Sequence, residues 1–203
     1  VINKPSNMPV HPSAGNYTNT LANGAAWYFA QKGQHLIFRC INRLDRDTTG
    51  ALILAKNPLS AAILSAQMKA RQIKRTYLAL VEGIPDKSGT INAPIARMDG
   101  SVITREVNFQ TGEPAVTHYE CLATGPLYSL LELHLETGRT HQIRVHLNYI
   151  GHPLPGDYLY NPENKKIQHQ PLHSYQLEFT HPITKKPMLF TAPVPDDFIS
   201  AFY

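Results

Sequence analysis

The stretch from Val116 to Glu136 constrains the fold more than any other. Two segments of strand-like composition, Val116 to Ala123 and Ser129 to Glu136, flank a Gly125-Pro126 pair that suits a reversing turn. In the second, Leu131, Leu133 and Leu135 alternate with Glu132, His134 and Glu136, which places leucines on one face of a pleated strand and polar groups on the other. Such a pair belongs in an antiparallel sheet with one buried face.

Other segments extend this picture. Gly50 to Lys56, Thr76 to Val81, Leu172 to Phe179 and Pro187 to Thr191 read as strands, and Val1 to Pro5 as the end of a strand entering a turn. Asn16 to Lys32 reads as a helix capped by Asn16 or Thr18 and closed by Gly33. Asn57-Pro58 supplies an N-cap and a first-turn proline for a helix reaching about Gln72, with Leu59, Ala62, Ile63 and Ala66 at helical spacing. Thr140 caps a third helix that buries Ile143, Leu147 and Ile150 and stops at Gly151; a short last helix starts near Pro195-Asp196. Strands come in runs instead of alternating with helices, so the expected class is α+β with a mixed or antiparallel sheet. No repeat, low-complexity tract or linker divides the sequence, and one domain over residues 1–203 is expected, with further native sequence upstream of Val1.

Composition narrows the function. The 42% apolar content suits a packed core, and the sequence has neither an apolar run of 18 residues nor a secretory signal pattern, so a soluble cytoplasmic protein is expected. Two cysteines, Cys40 and Cys121, are too few for a disulfide framework or a thiolate metal site; reduced, buried thiols are expected. Between Asp47 and Glu82 no acid occurs, while Lys56, Lys69, Arg71, Lys74 and Arg75 do. Between Glu136 and Asp157 the pattern repeats with Arg139, Arg144 and three histidines. Basic groups gathered in this way suit a phosphate backbone, and the first stretch suits a solvated helix face as well.

Three segments carry chemistry. Asn42-Arg43-Leu44-Asp45-Arg46-Asp47-Thr48-Thr49-Gly50 packs two carboxylates and two guanidiniums into five residues ahead of a strand. A carboxylate beside arginine stays ionised at neutral pH, which serves a nucleophile, a general base or a plain ion pair equally. Lys74-Arg75-Thr76-Tyr77 joins a basic cluster to an aromatic ring, a combination that holds unstacked bases and also occurs in ordinary half-core positions. Gly138-Arg139-Thr140-His141-Gln142-Ile143-Arg144-Val145-His146 puts Thr140 and Arg144 four apart on one helix face, with Arg144 beside the apolar stripe and able to reach sideways into a cleft. His141 and His146 are five apart, a poor spacing for helical zinc ligands, and no metal is expected.

Together these segments resemble the RluA-type family of pseudouridine synthases. The family's Arg-Leu-Asp core followed by Thr-Ser-Gly is matched by Arg43-Leu44-Asp45 and Thr48-Thr49-Gly50. Its Lys, Tyr, Ala, Val, Gly series is matched by Lys74, Tyr77, Ala79, Val81 and Gly83, and its Gly-Arg-Thr-His-Gln-Ile-Arg-Val-His string is present from Gly138 to His146. Lys4-Pro5, Met8 to Pro12, His152-Pro153-Leu154, Gly156-Asp157, Leu172-His173, Phe179 and His181-Pro182 follow the family's order.

The resemblance implies a mixed, largely antiparallel sheet with helices and loops around a central RNA-binding cleft. It implies isomerisation of uridines in structured RNA to pseudouridine, in ribosomal RNA first and transfer RNA as the alternative, without a cofactor, by a monomer. Asp45 takes the place of the catalytic aspartate, Tyr77 of the tyrosine that stacks on the target base and assists proton removal, and Arg144 of the arginine paired with the aspartate. Arg43 takes the place of the arginine associated with extruding the nucleotide. Arg46, Lys74, Arg75, Arg139, Thr140, His141 and Gln142 are the further expected RNA contacts. Asn42 and Thr49 depart from the family's usual His and Ser but keep hydrogen-bonding side chains, and from Tyr158 to Pro171 the likeness thins around the polar turn Asn161 to Lys166.

Overall fold

The computed structural model describes residues 1–164 and 166–202, so Lys165 of the polar turn lies outside the described residues, as do the side chains of Asp197, Ile199 and Ala201. Along the chain the elements are β1 (Ile2–Lys4), α1 (Leu21–Gln31), β2 (Thr49–Leu52), α2 (Pro58–Lys69), β3 (Lys74–Glu82), β4 (Ser88–Asn92), β5 (Ile95–Arg97), β6 (Arg105–Val107), β7 (Val116–Thr124), β8 (Tyr128–Leu135), α3 (Gln142–Tyr149), β9 (Leu172–Thr180), β10 (Pro187–Thr191) and α4 (Asp196–Phe202). Two compact units are built from them, one from residues 1–75 with 174–193, the other from 76–173 with 194–203.

In the first unit the strand order is β1-β2-β9, with β10 alongside β9. β1 runs antiparallel to β2, Lys4 opposite Gly50, and β10 runs antiparallel to β9. The core gathers Ala51, Ile53, Ala55, Leu64, Ile73, Leu177, Phe179 and Ala192, with the rings of Phe179 and Phe190 stacked at 5.8 Å. Helix α2 turns Ser60, Leu64 and Gln67 inward and leaves Leu59 exposed. The Gln67 amide explains that rotation: it donates to the Thr180 carbonyl at 2.9 Å and accepts from the Thr180 amide at 3.2 Å, so a polar residue closes the end of β9.

In the second unit the order is β3-β8-β7-β4, with β5 and β6 as a separate two-stranded sheet. β7 and β8 form the expected antiparallel hairpin, interrupted by a bulge between Cys121 and Ala123, and Leu131 and Leu133 are fully buried. Ile95, Ala115 and Val145 form a second core cluster under Val107 and Tyr160. The α+β class with a mixed sheet and few helices is as the sequence suggested.

Several boundaries differ from expectation. Helix α1 starts at Leu21, capped by neither Asn16 nor Thr18 but by Thr20, whose side chain exchanges bonds with Asn23 in a reciprocal capping box. Helix α2 ends at Lys69 because Arg71 adopts φ +57°, the left-handed conformation that Gly33 and Gly151 supply after α1 and α3, and the amides of Arg71 and Gln72 turn back to Met68 and Gln67. Helix α3 starts one residue later than a Thr140 cap requires; His141 is its N-cap at φ +58° with no side-chain capping bond, so Thr140 and Arg144 do not share a helix face. Regular strand in β2 stops at Leu52, with Leu54 continuing only as an isolated bridge to Cys40. The two cysteines are half-buried and free, and burial pushes the Cys40 thiol up to about 12.

Candidate active site

Asp45 sits in the loop leading into β2, and that loop is fixed from beneath by an uncommon device. Lys4, 1% exposed, donates from Nζ to the carbonyls of Pro5 at 2.8 Å, Met8 at 3.0 Å and Arg46 at 2.8 Å. Three acceptors match the three protons of an ammonium group, and the Arg46 carbonyl also accepts from the Met8 amide at 3.0 Å. Burial lowers the Lys4 ammonium to about 8, with Asp47 and then Asp45 opposing the shift, so the group is charged at neutral pH and acts coulombically on both carboxylates.

The other anchors lie on either side. Asp47, almost wholly buried, accepts from the Asn7 amide at 3.2 Å and from the Arg46 guanidinium at 3.0 Å, while the Thr48 amide closes a turn on the Asp45 carbonyl at 3.2 Å. Asn42, also buried, accepts from the Ile53 amide at 2.8 Å and in that way extends the edge of β2 with a side chain. Gly50 has φ +106°, and a Cβ there would lie 2.3 Å from the Ser174 carbonyl oxygen. Asp45 itself is half-buried, and Arg43 and Arg46 next to it are exposed. Lys74 is exposed and Arg75 half-buried at the start of β3.

In the second unit, Tyr77 stands on β3 opposite Leu133 of β8 and is 4% exposed. Arg144, on α3, is 2% exposed. Its guanidinium forks onto Asp157, with Nε to Oδ2 and Nη2 to Oδ1 both at 2.7 Å, the planar geometry in which arginine and carboxylate pair best. Asp157 also accepts the amides of Leu159 and Tyr160, at 3.0 and 3.2 Å. The guanidinium carbon lies 5.0 Å from the Tyr160 ring centre and 5.7 Å from that of Tyr158, within cation–π range. Tyr160 in turn binds His141 Nδ1 at 2.9 Å and accepts the Arg105 amide at 2.9 Å. The segment Asp157 to Tyr160 therefore wraps Arg144 with a carboxylate and two rings.

The remaining expected contacts have unequal surroundings. Gln142 is buried: its carbonyl accepts from Thr137 Oγ1 at 2.7 Å and the Arg139 amide at 3.0 Å, and its amide donates to the Val116 carbonyl and Thr117 Oγ1, both at 3.0 Å. Inside the fold it braces the turn ahead of α3. Arg139 is half-buried, pairs with Glu113 and donates to the Pro114 carbonyl at 3.1 Å; Thr140 is exposed. His146 is fully buried between Thr117 Oγ1 and the Ala93 carbonyl, both at 2.8 Å, far in its chemistry from a metal ligand. Among the described residues no group of three His, Cys, Asp or Glu could hold a metal ion, and no helix is long and apolar enough to cross a membrane.

Sequence reasoning assigned no role to Lys4, Asp157 or Tyr160. Lys4 and Asp157 were visible only as members of short strings, and nothing in local periodicity joins Asp157 to Arg144 thirteen residues away.

The family model for RNA pseudouridylate synthase matches residues 1–149, and the chain belongs to that family. Among relatives, it is 45% identical to the uncharacterized RNA pseudouridine synthase YhcT of Bacillus subtilis over 97% of this chain and 66% of the relative. It is 43% identical to the ribosomal large subunit pseudouridine synthase D of Nitrosomonas europaea over 97% of this chain and 60% of the relative. Among solved structures, human RNA pseudouridylate synthase domain containing 1 superposes with a TM-score of 0.79 at 28% identity, covering 95% of this chain and 78% of the other. The chain thus spans about two thirds of the length of such relatives, and the RluA-type resemblance read from the motifs holds.

Proposed function

We propose that this chain converts specific uridines in structured RNA to pseudouridine, with Asp45 as the nucleophile. The observation that carries the reading is the position of Asp45: a half-buried carboxylate in a loop whose backbone is pinned by a buried ammonium, inside a chain that belongs to this family. Relatives named for the large ribosomal subunit make its RNA the first substrate to test, with transfer RNA second.

The reaction breaks the bond from N1 of uracil to C1′ of ribose and forms one from C5 to C1′. C5 loses a proton and N1 gains one, so atoms and electrons balance without an oxidant or a co-reactant. A carboxylate can attack the sugar, as in retaining glycosidases, or hold a detached base while it rotates. The target must leave its stack first, at a cost of about a few kcal/mol. Arg43, exposed beside Asp45, is suited to the vacated space. Tyr77, assigned by the resemblance to the base and its proton, must offer its small exposed remainder to the uracil. Arg144 is assigned to the aspartate, and its own unit holds the guanidinium rigid through Asp157. Residues 1–203 then act as one catalytic domain, monomeric and cytoplasmic, with no cofactor; Arg46, Lys74, Arg75, Arg139, Thr140 and His141 supply further RNA contacts, and Gln142 holds the turn that carries Arg139.

The test incubates the protein and its Asp45→Asn variant with unmodified ribosomal and transfer RNA and maps pseudouridine by carbodiimide-dependent reverse-transcription stops. Stops with the native sequence alone are expected. Stops of equal strength with Asp45→Asn would remove Asp45 from the nucleophile role, and no stops with either protein would leave an RNA-binding module without the chemistry.

A further inference from the structure

Charge is distributed unevenly between the two units. The first carries twelve of the 19 lysines and arginines and only three of the 15 acids, Asp45, Asp47 and Glu178. No acid occurs between Val1 and Leu44, a stretch that contains the whole of α1. Two of those three acids lie in the Asp45 loop, so the rest of the unit presents cations almost without competition.

On this background α1 exposes aromatic rings that its own packing does not use. Leu21 and Ala25 are its buried residues, while Trp27 is 66% and Tyr28 52% exposed. Cations already lie against the neighbouring rings: Lys32 Nζ is 5.6 Å from the Tyr28 centre, and Lys56 Nζ is 5.5 Å from that of Phe29. The Tyr28 and Phe29 rings meet edge to face at 5.3 Å, which fixes their orientation. Around Trp27 the helix is small, with exposed Ala30 on one side and Gly24 on the other, where a Cβ would meet nothing within 4 Å.

Exposed rings interleaved with lysines, on a unit of strong positive charge, have the chemistry of a platform for unpaired nucleotides: bases stack on the rings and phosphates meet the cations. We infer that the Trp27–Tyr28–Lys32 face of α1, with Lys56, binds a single-stranded segment of the RNA substrate outside the target uridine. The inference rests on RNA being the substrate.

Trp27 is the sole tryptophan of the chain, so its fluorescence reports on this face directly. A labelled single-stranded RNA of roughly ten nucleotides is titrated while tryptophan emission and label anisotropy are followed together. Saturable quenching is expected at the concentration where anisotropy rises. Trp27→Ala and Tyr28→Ala should each raise the Kd by anisotropy about tenfold. Lys32→Gln with Lys56→Gln should reduce the slope of log Kd against log salt by about 1.4, the single-strand value for two phosphate contacts. RNA binding that leaves Trp27 emission unchanged and is indifferent to Trp27→Ala overturns the proposal. So does emission that responds only to protein concentration, with a self-association in sedimentation that Trp27→Ala abolishes, since the face would then bind a second copy. Carbodiimide stops scored in parallel separate the two readings: quenching without stops sustains the platform and sinks the synthase activity, and stops without quenching do the reverse.

Discussion

The pair Arg144–Asp157 shows how much one residue's role depends on what closes around it. Both side chains are withdrawn from water, and neither would be tolerated there without the two 2.7 Å bonds that join them. Such pairs gain little net stability, but breaking one strands a buried charge. Asp157→Asn should therefore lower unfolding free energy by roughly 3 kcal/mol or more in urea titrations. The double variant Arg144→Met, Asp157→Leu should recover part of that loss; a double variant no more stable than Asp157→Asn would mean that the pair's charge is not what the site penalises. His146 gives a second test at this scale. Burial holds its imidazole below the ordinary value, against the opposing pull of the Ala93 carbonyl. The folded form thus refuses a proton that the unfolded chain accepts below about pH 6.5. Stability should be unaffected by this group at higher pH and fall as pH drops through that range, until the folded form also protonates. Thermal melts from pH 7.5 to 5 should show the decline, and His146→Gln should flatten it.

Among the elements, the loop between Asn42 and β2 has the narrowest tolerance. Lys4 in β1 and Gly50 in β2 are paired partners, so the strand that supplies the ammonium is the one that approaches the glycine. At Gly50 both the +106° φ and the 2.3 Å approach of the Ser174 carbonyl exclude a side chain. Gly50→Ala should cost about 2–4 kcal/mol and displace the Asp45 loop, so conversion of uridine should fall more than the loss of folded protein explains. Activity per folded molecule equal to the native value would show that strain at β2 does not reach Asp45. The helices teach a related lesson about boundaries. Gly33 and Gly151 marked the ends of α1 and α3 in the sequence, but α2 stops on Arg71 in the conformation usually left to glycine, and no residue type announces that. At the head of α3, His141 takes the left-handed conformation without a side-chain capping bond, and the Gln142 side chain instead accepts the Arg139 amide of the turn before the helix.

For the molecule as a whole, amino-acid order determined the fold class and the family. The alternating leucines of β8 required a one-sided antiparallel strand because the side-chain period of a strand is two, and that holds whatever else the chain does. The ordered motifs around Asp45, Tyr77 and Arg144 fixed the family, because strings of that length in one order do not arise by chance. Tertiary structure decided what surrounds those residues. Which face of α2 turns inward was settled by the backbone of Thr180, which Gln67 satisfies from far along the chain. The three carbonyls around Lys4 converge only after β1 has paired with β2, so neither the burial of that ammonium nor its grip on the Asp45 loop is written locally. The same holds for the carboxylate and rings about Arg144, which α3 and the segment after it bring together in space. Periodicity and motif are properties of neighbours in sequence; desolvation, counter-charge and steric exclusion are properties of neighbours in space, and those only the folded chain supplies.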